Sequence, residues 1–188
     1  MEILFILLGV LSAIAVTAAI LYNGLIGKRN MAKNGWADID VQLKRRADLI
    51  PSLVTTVQGY AAHERSLFEE VVEKRSAALA AGDDPNARGG AETALSAPVG
   101  RLLAVAEDYP DLKANTNFLD LQEELSETEN KIEMARRFYN GAVRELNTSV
   151  ETFPGNLVAD LFGFGQRAFF EIAMSDRAAP KVNLGSES

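Results

Sequence analysis

Residues 3–27, ILFILLGVLSAIAVTAAILYNGLIG, hold no Asp, Glu, Lys or Arg. A helix of about 20 apolar residues spans the roughly 30 Å hydrocarbon core of a bilayer, and residues 3–22 supply that length. A helix also satisfies its own backbone hydrogen bonds, as lipid requires. The competing reading is a cleaved signal peptide, which needs a basic flank, an apolar run of about 7–15 residues and a small-x-small cleavage site. Ala13-Ile14-Ala15 loosely meets the last requirement, but Glu2 is acidic and the run is too long. Residues 1–27 are therefore read as a retained transmembrane anchor, with the lipid bilayer as the chain's first partner.

Flanking charge sets the expected orientation, because cytoplasmic flanks are enriched in Lys and Arg. No basic residue precedes the span, whereas Lys28, Arg29 and Lys33 follow it, and then Lys44, Arg45 and Arg46. The rule places the N-terminus outside and the body in the cytoplasm; the reverse orientation is the alternative. Charge is also uneven along the chain. Residues 28–82 carry nine basic and seven acidic groups, a net of +2, and residues 83–188 carry ten and eighteen, a net of -8; Glu2 completes the total of -7. Anionic headgroups attract nearby Lys and Arg by about 1 kcal/mol each, so the basic part belongs at the membrane. An acidic chain of pI about 4.8 argues against nucleic acid as a partner. The chain has no cysteine, which removes disulfides and thiolate chemistry.

Beyond the anchor the spacing is helical. Over residues 30–81, apolar side chains recur at steps of three and four, through Trp36, Ile39, Leu43, Ala47, Ile50, Val54, Val57, Ala61, Phe68, Val71 and Ala78. Such steps mark a helix with one buried stripe, here running on from the span, with a kink expected at Pro51. Trp36 and Tyr22 suit either interface depth or, for Trp36, the core. Residues 82–90, GDDPNARGG, read as a loop, followed by a shorter helix over 91–107 that Tyr109-Pro110 ends. Residues 118–150 carry the longest regular pattern: Phe118, Leu121, Leu125, Thr128, Ile132, Ala135, Tyr139, Ala142, Leu146 and Ser149 form a heptad seam of coiled-coil type. A short helix follows Pro154. No segment alternates with period two, so strands are not expected. The fold class is all-α: a transmembrane helix (1–27) continuing into an antiparallel bundle of three long helices and a short C-terminal one (28–175), then a disordered tail (176–188).

Catalytic constellations are missing from the pattern. The only histidine is His63, and the second His of a zinc-protease motif is replaced by Leu67. A di-iron bundle needs a Glu-x-x-His pair on two helices. His63 is read as a polar residue on a helix face, and Glu123, Glu124, Glu127, Glu129 and Glu133 as a solvated face. Gly163-Phe164-Gly165 is a lone G-x-G without a preceding strand. No catalytic, cofactor-binding or metal-ligating residue is assigned, no cofactor is implied, and the chain is read as not an enzyme.

Several stretches together resemble the LemA family of bacterial single-pass membrane proteins: Tyr22-Asn23, Trp36, IDVQLKRRADLIPSLV from Ile39, GYAAHE from Gly59, YPDLKAN from Tyr109, ENKI from Glu129, ARRFYN from Ala135 and FPGNLVA from Phe153. The resemblance implies an anchor in the bacterial inner (plasma) membrane and a helical domain whose first long helix extends it; it implies no reaction. Among the matched residues, Asp48, Lys113, Asn115, Asn130, Arg136, Arg137 and Asn140 are polar groups set among apolar ones. They are read as cross-linking helices and capping their ends, with a polar partner surface as the alternative.

Three functions compete: a membrane-anchored scaffold that binds other membrane proteins or itself, an accessory subunit of a membrane protease or transporter, and a carboxylate enzyme using a metal such as Mg²⁺. A first helix of about 50 residues, near 75 Å, would overhang a 33-residue partner of about 50 Å. That leaves Trp36, Ile39, Leu43 and Ile50 expected to lie bare near the membrane and to drive homo-oligomerisation.

Overall fold

The computed structural model describes residues 1–172. The tail assigned to 176–188 lies outside them. Six helices and no strand occur among the described residues: α1 (Glu2–Gln58), α2 (Arg65–Ala80), α3 (Pro85–Glu107), α4 (Pro110–Lys113), α5 (Thr116–Glu151) and α6 (Gly155–Phe162). The all-α expectation holds. Two compact units divide the chain, Met1–Leu49 with Gln122–Glu171, and Ile50–Leu121 with Ile172.

In the first unit α1 and α5 run antiparallel. Lys28 meets Ser149, Trp36 meets Tyr139 and Arg46 meets Glu129, so position rises along one helix as it falls along the other. The heptad seam of α5 is the buried one: Leu125, Thr128, Ile132, Tyr139, Ala142 and Leu146 are all buried. Across from it α1 buries Leu25, Ala32, Ile39, Leu43 and Ala47. Each large aliphatic side chain so buried contributes about 1.5–3 kcal/mol. A Cβ on Gly35 would stand 3.0 Å from the Cα of Tyr139, so the two backbones approach closely there. Arg46 is buried and donates to Glu129 Oε1 at 2.8 Å, the pairing that a buried charge requires.

The second unit holds a helical hairpin. α2 and α3 are joined by residues 81–84, with Gly82 at φ +69°, the left-handed geometry that favours glycine after a helix end. Asp84 caps α3 by accepting from Ala87 N–H at 2.8 Å, and Pro85 takes the first helical position, where its missing N–H costs nothing. Arg101 reaches Glu70 across the pair at 2.5 Å, and Arg88 and Glu92 form a buried pair along α3 at 3.1 Å.

Two boundaries differ from the sequence expectation. The helix predicted over 30–81 breaks at residues 59–64. Its apolar steps continue through Ala61, which is fully buried in the turn, so periodicity hides a break made by Gly59 after the β-branched run Val54-Thr55-Thr56-Val57. α3 begins at Pro85 instead of residue 91, because Asp84-Pro85 is a capping pair and Gly89-Gly90 sit inside the helix. Pro51 lies within α1, which continues to Gln58.

The expected overhang is also corrected. Ile39, Leu43 and Ile50 are fully buried and Trp36 is packed on Tyr139 and Phe170. α5 is 36 residues long and reaches the level of Lys28, so the chain covers the stripe itself. The argument for self-association from a bare stripe falls with it.

Candidate functional site

α1 carries the one stretch among the described residues that is long and apolar enough to cross a membrane, and no part of that window is buried. Large apolar side chains from Ile3 to Ile20 are exposed. Where this bare stretch ends, the C-terminal part of the chain closes on α1.

α6 begins that closure. Gly155 sits so close to α5 that a Cβ would fall 2.4 Å from Ser149 O; only glycine fits. α6 ends at Gly163, φ +70°, and Phe164 N–H donates to Ala159 O at 2.9 Å, the Schellman stop. Val158, Ala159 and Phe164 form a buried cluster with Leu25 and Leu146, flanked by Ala18, Leu21, Tyr22, Ile26 and Val150. Tyr22 packs on Phe162 and Phe164 with ring centroids 4.8 and 5.7 Å apart, and the Arg29 guanidinium lies 5.0 Å over the Phe164 ring.

Residues 163–171 then run without helix or strand along α5, held by two asparagines. Asn147 Nδ2 donates to Arg167 C=O at 2.9 Å and its Oδ1 accepts from Arg167 N–H at 2.8 Å. Asn140 does the same for Phe170, at 3.0 and 2.9 Å. Tyr139 Oη donates to Ala168 C=O at 2.8 Å. Each Asn thus supplies the donor and acceptor that a neighbouring strand would offer. The spacing explains the fit: seven helical residues rise about 10.5 Å, and three extended residues advance about 10 Å. On the α1 side Tyr22, Arg29 and Trp36 recur every seven residues and touch Phe162 and Phe164, Phe164, and Phe170 respectively; Trp36 and Phe170 meet edge-on at 5.3 Å. The segment is clasped between two heptad rows.

The residues singled out from sequence fall out as follows. Asn140 clasps Phe170, and Asn115 caps α5 by accepting from Phe118 N–H at 3.2 Å while donating to Tyr60 Oη at 3.1 Å; both fit the cross-linking and capping reading. Arg137 instead pairs along its own helix with Glu133 at 3.5 Å on an exposed face, and Lys113 and Asn130 are exposed. Asp48 and Arg136 are engaged with the rest of the protein. His63 lies exposed on the connection between α1 and α2, not on a helix face. Glu123, Glu124 and Glu127 are exposed as expected, whereas Glu129 is drawn in by Arg46. Lys131 donates to Glu127 and holds its carboxyl below the ordinary value, chiefly by the hydrogen bond and then by its charge. Among the described residues no group of three or more His, Cys, Asp or Glu side chains is placed to hold a metal. Asn147 was not singled out; its seven-residue spacing from Asn140 was the available signal.

The LemA family profile matches residues 35–184. The chain belongs to the LemA family. Similar proteins include Magnetosome protein MamQ 2 of Paramagnetospirillum magneticum, 26% identical over 191 residues and covering 87% of this chain and 70% of the relative. Magnetosome protein MamQ of Magnetospirillum gryphiswaldense is 23% identical over 194 residues, covering 89% and 71%. Protein LemA of Metamycoplasma hominis is 26% identical over 155 residues, covering 82% and 71%. None of these names states a reaction.

Proposed function

We propose that this LemA-family chain is a membrane-anchored helical scaffold without catalytic activity, which holds a rigid α1–α5 face at a fixed height above the bilayer for other membrane proteins or for a second copy. The observation that carries this reading is continuity: α1 passes from a bare apolar stretch into a buried seam as one helix of 57 residues. An unbroken helix transmits position, whereas a flexible Gly/Ser-rich linker would not. The face offers apolar contacts as well. Val41 on α1 and Met134 and Phe138 on α5 are about half exposed or more, and the register set by Trp36–Tyr139 and Arg46–Glu129 puts Val41 level with Met134. In this reading residues 1–27 anchor the chain in the bacterial inner membrane, residues 28–175 form the interaction domain, and Lys28, Arg29 and Lys33 keep that domain cytoplasmic.

Affinity capture of the full chain in mild detergent tests the proposal. The scaffold reading expects membrane proteins, or tagged copies of the same chain, retained by the intact surface and lost when Met134 and Phe138 are both changed to Glu. Retention of one protease or transporter in fixed proportion would favour the accessory-subunit reading instead. Turnover of a substrate by the purified chain would overturn both. Protease added to right-side-out vesicles checks orientation: the body should survive until the membrane is opened.

A further inference from the structure

We infer that α6, with Phe153 just before it, is a second membrane contact: a short helix that lies in the headgroup–acyl boundary of the bilayer beside the anchor. This rests on the reading of α1 as a membrane span. Four large apolar side chains there face outward, Phe153 at 79% exposure, Leu157 at 60%, Leu161 at 76% and Phe162 at 54%. The opposite face of α6 is packed, with Val158 and Ala159 buried against Leu25 and Leu146. A helix this apolar on its outer face calls for an apolar neighbour.

The neighbour is identified by position. About 20 residues of helix cross the hydrocarbon core, so a span beginning at Ile3 reaches the far boundary near Tyr22. The α1 residues in or against the cluster that holds Val158, Ala159 and Phe164 run from Ala18 to Ile26, which brackets Tyr22 on both sides. α6 is therefore held at the depth where hydrocarbon gives way to headgroups. The flanking chemistry matches that depth. Tyr22 and Phe162 form an aromatic pair at the boundary, where such rings collect. Lys28 and Arg29 follow within two turns, placed by Ser149 and Phe164, at the height of lipid phosphates. Interfacial helices bury one apolar face by about 5–10 Å in this zone.

Spin labelling tests the inference on the full chain, which has no native cysteine to remove. Leu161→Cys, Leu157→Cys, Leu11→Cys and Val41→Cys, each made singly and labelled with a nitroxide, are reconstituted into vesicles of phosphatidylcholine and phosphatidylglycerol. Collision with oxygen, which partitions into lipid, is compared with collision with a water-soluble nickel chelate. The expected oxygen-to-nickel ratio at Leu161 and Leu157 is several-fold above that at Val41 and below that at Leu11. A ratio at both α6 positions equal to that at Val41, with Leu11 still high, overturns the α6 contact and leaves the anchor standing. A low ratio at Leu11 overturns the anchor reading and this inference with it. Shielding of both α6 labels from both reagents means protein covers α6, and also overturns it. Should either cysteine variant lose helix content by circular dichroism, Phe153→Cys, outside the helix, gives the same readout.

Discussion

Asn140→Ala should detach residues 163–171 from α5, and the size of the effect can be worked out. Asn140 makes two hydrogen bonds to the backbone of Phe170, and Phe170 is fully buried. A hydrogen bond contributes about 0.5–1.5 kcal/mol net, and a buried group left unpaired costs about 1–3 kcal/mol. The expected loss is about 2–4 kcal/mol if the segment stays in place. The segment can instead leave, which caps the loss at the free energy that holds it. Asn147→Ala acts on Arg167, which is only half-buried, so about 1–2 kcal/mol is expected. Because both asparagines hold one segment, the double variant should cost less than the two losses together. Trp36 is the only tryptophan and packs against Phe170, so its emission reports release directly. Denaturant titration of the full chain in detergent, with Trp36 emission read under native conditions, should show lower stability and a red shift for Asn140→Ala. Asn140→Asp adds a control of sign. Its carboxylate would face the Phe170 carbonyl, which raises its folded-state pKa above the unfolded value; stability should then be highest below the ordinary aspartate pKa and fall as pH rises through the folded value. A change below about half a kcal/mol for Asn140→Ala, with unshifted emission, would refute the clasp.

Leu125→Ala empties a buried seam position of α5 and should cost about 2–5 kcal/mol, read by thermal or denaturant unfolding. Glycines should split by surroundings. Gly155→Ala forces a Cβ onto Ser149 O and should destabilise by at least about 1–3 kcal/mol, with faster amide exchange across α6. Gly100→Ala and Gly141→Ala, in helices with nothing within 4 Å of the new Cβ, should stabilise by about 0.5–1 kcal/mol. The Glu127 carboxyl should titrate below the ordinary glutamate value by NMR and move back toward it in Lys131→Ala, since Lys131 is the first cause of its shift.

What could be read from sequence followed periodicity. The α5 seam was legible because every third or fourth position from Phe118 to Ser149 is buried or half-buried in the structure. The apolar run of α1 was legible from composition alone. The break at 59–64 was not, because Val57, Ala61 and Phe68 keep apolar residues coming while the helix stops. The early start of α3 was legible in principle: Asp84-Pro85 is an N-cap and first-position pair, but Gly89 and Gly90 outweighed it. The clasp was the least legible part. Its bonds join Asn140 and Asn147 to backbone 20 to 30 residues away, and backbone groups leave no trace in a sequence. Only the two seven-residue rows, Asn140 with Asn147 and Tyr22 with Arg29 and Trp36, record it.

Those two rows also bear on how the body is held relative to the anchor. A helix emerging alone from a bilayer can bend wherever its side chains lack neighbours. Here the first positions beyond the bare stretch are gripped from two directions, by Leu146 and Val150 of α5 and by Val158, Phe162 and Phe164 of the returning chain. Further along, Arg29 and Trp36 meet Phe164 and Phe170. From Tyr22 to Trp36 the helix rises about 21 Å, and from Phe164 to Phe170 the extended chain advances about 20 Å. The segment therefore works as a splint along the roughly four turns where α1 would otherwise be most free to hinge. Polar clamps suit that task better than apolar contacts alone, because two directed hydrogen bonds at each asparagine fix the register, and a slip by one residue would take these partners from the backbone N–H and C=O of both Arg167 and the buried Phe170.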